Sequence, residues 1–212
     1  MLNENYAEKS GKYKQIAGLP VDNTAEIDII KPITVDDITA VDKDGTISDE
    51  CKEAIASTIE KFQKDGHKFS FDAVRMVNIH PNRNGGLVVL RTNAIDSGGY
   101  PKVVLEINKN VFADADKQSI DCMFINAENT VCNSLEEAVI HEIGHAKTIY
   151  SRTYANYERI EELEFVHDID VSKLASSDGS EGIAECEVLL SRGEKLPDEI
   201  MNFYTTYTTG GG

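Results

Sequence analysis

Residues 133–147 read NSLEEAVIHEIGHAK, and this stretch decides how the rest of the chain is understood. Leu135, Ala138, Val139, Ile143, Ala146 and Ile149 recur at three- and four-residue intervals, the spacing of one buried helical face. Ser134 and Glu137 have the S-x-x-E spacing of a capping box, so the pattern predicts a helix over 134–151. Within it, His141-Glu142-Ile143-Gly144-His145 is an H-E-x-x-H motif. Residues i and i+4 lie one turn apart on one face, so the imidazoles of His141 and His145 can reach a single metal ion. Glu142 is offset around the helix. It is placed to act on a water held by the metal, as a general base must, rather than on the metal itself. A bare H-E-x-x-H also arises by chance. The helical context counts against chance, as does Gly144, which costs about 1 kcal/mol relative to Ala inside a helix and implies close approach of another element.

A catalytic zinc needs a third protein ligand and one open position. A metzincin would supply a histidine six residues after His145, but that residue is Ser151. The better source is Glu181-Gly182-Ile183-Ala184-Glu185, at the start of a helix expected from about Ser180 to Arg192 and stopped by Gly193. Glu181 and Glu185 share a face. Either could ligate the metal while the other fixes the tautomer of a ligating imidazole. His167, beside Asp168 and Asp170, is a weaker rival for the third position.

Upstream, Cys51, Ile55, Ile59 and Phe62 predict a helix ending at Asp65-Gly66. Strand-like runs follow at Lys68–Ile79, Leu87–Thr92 and Lys102–Ile107, separated by turn-forming Pro, Asn and Gly. No helix-length connection lies between them, which predicts antiparallel hairpins. A short helix is expected over about 155–166. Strands followed by helices indicate an α+β class. Residues 1–46 are poorly patterned and read as an N-terminal arm, or a few strands laid on a domain spanning 47–208. Thr205–Gly212 reads as disordered, with 209–212 a glycine tail. Asp42, Asp44 and Gly45 imitate the middle of a calcium loop. Its first and last positions are Ala40 and Cys51, so a turn is expected instead.

The chain has 212 residues and a formal net charge of −16, which repels phosphate backbones and anionic lipid and makes nucleic acid and membranes poor partners. Its four cysteines include no C-x-x-C pair, and the polar N-terminus has no signal-peptide pattern. A reduced, cytoplasmic-type protein is expected. Cys186, next to Glu185, reads as a small core residue, with an inhibitory thiol the other option.

HEIGH followed by EGIAE resembles the zincin-like gluzincins, specifically the lethal-factor-type metallopeptidases, whose pattern is H-E-x-G-H followed by E-x-x-A-E. The stretches LRTNAI, PKVVLEIN and EGIAECEVLLSRGEKLP are similar to metallopeptidase domains associated with phage minor head proteins, over about residues 87–207. The resemblance implies a twisted, mostly antiparallel sheet packed on the H-E-x-x-H helix. It assigns Glu181 as the third zinc ligand and Glu185 as the support of a histidine. It also implies a peptide or protein substrate aligned along an edge strand, with Leu87–Thr92 or Lys102–Ile107 as that edge, and virion association if the chain is phage-encoded. One position departs from the pattern: where the family has an oxyanion-stabilising tyrosine, seven residues before the ligating glutamate, this chain has Leu174. Tyr150, Tyr154 and Tyr157 are the substitute candidates. The expected activity is hydrolysis of peptide bonds by a zinc-activated water with Glu142 as base. Its rival is a non-catalytic binding or structural protein on the same scaffold.

Overall fold

The computed structural model describes residues 26–28, 32–80, 88–113, 115–150, 152–163 and 171–208. Strand β1 (Glu26–Asp28) leads to helix α1 (Val35–Val41) and helix α2 (Asp49–Lys64). Strands β2 (Ala73–Val77), β3 (Leu90–Ser97) and β4 (Tyr100–Asn108) follow. The rest is helical: α3 (Lys109–Phe112), α4 (Lys117–Ile125), α5 (Leu135–Ile149), α6 (Tyr154–Glu161), α7 (Gly179–Ser191) and α8 (Asp198–Thr208). The class is mixed α+β. Among the described residues no helix is long and apolar enough to cross a membrane.

The sheet order is β1-β2-β4-β3. β3 and β4 form the expected hairpin, turning through Gly98 and Gly99 at φ 70° and 91°, a left-handed conformation that favours glycine. β2 departs from the expectation: it pairs with β4 in parallel and not with β3 as a hairpin. Burial explains the order. Val103 to Asn108 of β4 are all buried, which suits a central strand, whereas most of β3 is only half-buried and takes the edge. Glu106 of β4 is buried on the outer face between Arg75 of β2 and Arg91 of β3, with Asn93 donating to it at 3.0 Å, so its charge is paired.

The inner face of the sheet meets α2 and α5. Val74, Val103, Leu105 and Ile107 share one core with Ile55, Ile59, Leu135, Val139, Ile143 and Ile149. Ile33, Ile38 and Val41 belong to this core as well. The domain body therefore extends into the segment read as an arm, where Thr34 and Asp37 close a capping box at the start of α1. A second, smaller core joins Ile160, Ala175, Ile183, Cys186, Ile200 and Tyr204 under α6, α7 and α8. Residues 205–208, expected to be disordered, end α8; Ile200 and Tyr204, one turn apart, anchor that helix. The glycine tail, 209–212, and most of the arm lie outside the described residues.

Two local readings are refined. Ser134 accepts the Glu137 N–H at 3.2 Å as a cap should, but the Glu137 carboxylate accepts from the Asn133 N–H and from Arg192. The capping box is thus half formed, and its other half ties α5 to the end of α7. The Asp42 carboxylate accepts from the N–H groups of Thr46 and Ile47 and sits 3.1 Å from Lys52. Those partners hold the segment as a turn, as expected.

Candidate metal centre

The centre forms where α5 crosses α7. Gly144 is the contact point: a Cβ built there would lie 2.6 Å from Cα of Ala184, a separation real Cβ atoms do not tolerate. The missing side chain lets the two backbones approach, and this closeness brings short glutamate side chains of α7 onto the imidazoles of α5. Asp178 starts α7 by accepting the Glu181 N–H at 2.9 Å, which places Glu181 in the first turn.

Nδ1 of His141 lies 3.0 Å from Oε1 of Glu185, and Nδ1 of His145 lies 2.8 Å from Oγ of Ser180. With each Nδ1–H donating outward, both Nε2 atoms present lone pairs inward. They meet each other at 3.1 Å, and Oε2 of Glu181 lies 3.1 Å from the first and 3.5 Å from the second. In that tautomer three acceptors face one another, an arrangement that draws in positive charge, either a proton or a metal ion. A point about 1.9 Å from all three atoms exists within that triangle, so bonds of ~2.0–2.2 Å are met just off its plane. Two neutral imidazoles and a carboxylate are the donor set of a catalytic zinc site with one side open. The residues therefore fit such an ion.

The electrostatics point the same way. Burial alone would lower the His141 pKa, but hydrogen bonds to Cys132, Glu181 and Glu185 outweigh it and hold the ring well above the usual histidine value. His145 is likewise raised against its burial, chiefly by the charge of Glu181. Burial would raise Glu181, yet the two imidazoles hold its carboxyl far below the usual carboxylate range. The cluster attracts positive charge; without a metal it takes up protons, and a divalent ion would displace them.

Glu185 is completely buried and fully engaged: its oxygens accept from the Thr130 hydroxyl at 2.7 Å and the Val131 N–H at 2.8 Å as well as from His141. It orients the ring from behind. Glu142 points to the sheet instead. Its Oε2 accepts the Thr92 N–H at 2.5 Å, and its main-chain carbonyl accepts the Thr92 hydroxyl at 3.0 Å. Among the described residues its Oε1 has no hydrogen-bond partner. Thr92, Ser180 and Thr130 were not singled out by the sequence. Only Ser180, adjacent to Glu181 in a helix's first turn, carried a signal that could have found it.

Of the tyrosines, Tyr157 is buried in the main core and Tyr154 packs edge-on against it, with ring centres 6.2 Å apart. Tyr150 ends α5 and is exposed. His167 with its neighbouring aspartates lies outside the described residues. Cys186 is wholly buried, and burial together with the charges of Glu185 and Glu187 pushes its thiol up to about 12, so it is a protonated core residue. No family model, curated protein or solved structure matches the chain.

Proposed function

We propose that the chain is a zinc-dependent endopeptidase with a zincin-like active centre. The observation that carries the reading is the convergence of Nε2 of His141, Nε2 of His145 and Oε2 of Glu181, mutually 3.1–3.5 Å apart, with Glu142 beside them but turned away. His141, His145 and Glu181 would hold the zinc, which when bound polarises the scissile carbonyl and acidifies the attacking water.

The remaining steps belong to the chain's own groups. Glu142 is fixed through Oε2 by the Thr92 N–H, which leaves Oε1 to take the proton from the attacking water and to pass it to the leaving amine. Glu185 and Ser180 keep the two imidazoles in the tautomer whose Nε2 atoms face inward.

The same threonine marks where a substrate lies. The Asn108 N–H donates to the Val89 carbonyl, so the odd-numbered residues of β3 exchange hydrogen bonds with β4. The even-numbered ones, Thr92, Ala94 and Asp96, direct their backbone groups to the open edge. Ala94 there offers both N–H and C=O to an extended peptide, beside Glu142. This supports β3, and not β4, as the aligning edge, because β4 is covered on both sides.

The direct test is metal removal. Cleavage of an unfolded protein substrate should fall to background after dialysis against a strong chelator. Stoichiometric zinc should restore it, whereas magnesium or calcium, which prefer all-oxygen sites, should not. Full activity in the chelated protein would sink the proposal.

A further inference from the structure

The α5–α7 pair carries a second polar cluster that this chemistry does not use. Nζ of Lys147 donates to Oε1 of Glu187 at 2.7 Å, to Nδ1 of His67 at 2.7 Å and to the Tyr204 hydroxyl of α8 at 3.3 Å. Tyr204 donates in turn to Oε2 of Glu187 at 2.5 Å. All three ammonium protons are thus placed. Burial and the adjacent ammonium push the His67 imidazole below its usual value, which keeps the ring neutral and able to accept.

Lys147 and Glu187 are only 6% and 2% exposed, and removing an ion from water costs several kcal/mol before its partners offset it. Well-packed apolar residues often stabilise such positions equally, so stability alone does not explain an ion pair here. Its location does. Gly144 and Ala184 bring the two helices into tight contact, a Cβ at Gly144 falling 2.6 Å from Cα of Ala184, and the polar groups on either side of that point act across the same crossing. His141 and Glu181 stand three residues before the contact on their respective helices; Lys147 and Glu187 stand three residues after it. Two of the three metal donors, His141 and Glu181, thus lie on the opposite side of the contact from the ion pair, and the third, His145, lies next to the contact itself. Tyr204 then fastens the ion-pair side to α8.

We propose that Tyr204, acting through Glu187 and Lys147, is a positioning residue that sets the α5–α7 crossing and so holds Glu181 on the two imidazoles. The inference rests on the metal-site reading above. Linkage makes the effect reciprocal: whatever α8 docking contributes to zinc affinity, zinc returns to the docking of α8.

The test compares wild type with Tyr204→Phe, which keeps the ring in the smaller core and deletes only the hydroxyl. Zinc affinity is read by competition with a chromogenic chelator, under conditions where both proteins are fully folded. Hydrogen exchange across 198–208 is read with and without zinc. The dissociation constant should rise about tenfold in Tyr204→Phe, the lower end of what loss of a ligand-supporting group does. Zinc should slow exchange in α8 of the wild type and do so much less in the variant. An affinity unchanged within about twofold would overturn the inference. So would wild-type exchange in α8 that is indifferent to zinc, a reading that needs no variant and decides the matter even where Tyr204→Phe fails to fold. A wild type that binds no zinc overturns the metal centre and this inference together; zinc binding with an indifferent α8 overturns only the positioning role.

Discussion

Replacing Glu142 by glutamine is expected to lower peptide cleavage by about 10²–10⁴-fold while leaving zinc content at the wild-type level. The separation follows from the geometry. Glu142 is not among the three converging donor atoms of His141, His145 and Glu181, so the variant keeps every ligand of the proposed site. A glutamine oxygen can still accept the Thr92 N–H, so the side chain should keep its place on the edge strand. What is lost is the capacity to take and return a proton. Cleavage rates and metal analysis on the same preparation check both halves. Undiminished cleavage in the variant would remove Glu142 from the mechanism. A wild type that holds zinc but cleaves nothing would favour the rival reading, in which the ion only joins α5 to α7.

Gly144→Ala is expected to damage the site without touching any of its polar atoms. The added Cβ would meet the backbone of Ala184 at 2.6 Å and Cβ of Glu187 at 3.2 Å, and backbone cannot rotate away as a flexible side chain does. Relief requires the helices to part. Overpacking of this kind typically costs about 1–3 kcal/mol, and the same movement draws Glu181 and Glu185 away from His141 and His145. Thermal unfolding of the metal-free protein should show the loss of stability, and chelator competition a weakened zinc affinity. An alanine variant with wild-type stability and affinity would mean that the close crossing does not position the donors.

The parts of this protein that were legible in its sequence are those whose signal is local. The helical stripe and the Ser134 cap placed α5 within two residues of its observed ends, and Gly193 stopped α7 where a left-handed residue was needed. Glu181 and Glu185 lie 36 to 44 residues from the histidines, and spacing alone left their roles open. The resemblance separated the two roles, and the structure puts Glu181 3.1 Å from Nε2 of His141 and Glu185 3.0 Å from its Nδ1.

What was illegible depends on partners distant in the chain. Nothing in Lys68–Ile79 says that it pairs with β4 in parallel, because that choice follows from which strand is buried on both faces. Thr92 reads as one more β-branched strand residue until its outward N–H is seen on Glu142, fifty positions away. The stretch 205–208 looks like a polar tail because its anchors, Ile200 and Tyr204, dock into a core separate from the main one. Helix α1 was hidden for a related reason. Its polar surroundings masked Ile33, Ile38 and Val41, three apolar residues that join the main core.

The most direct measurement of the central claim is zinc stoichiometry in wild type and in Glu181→Ala. Three donors from two helices should hold about one zinc per chain through dialysis in the wild type. With two imidazoles alone, Glu181→Ala should retain almost none while remaining folded, since Glu181 belongs to neither apolar core. Full zinc occupancy in Glu181→Ala, or none in the wild type, would contradict the site described for His141, His145 and Glu181.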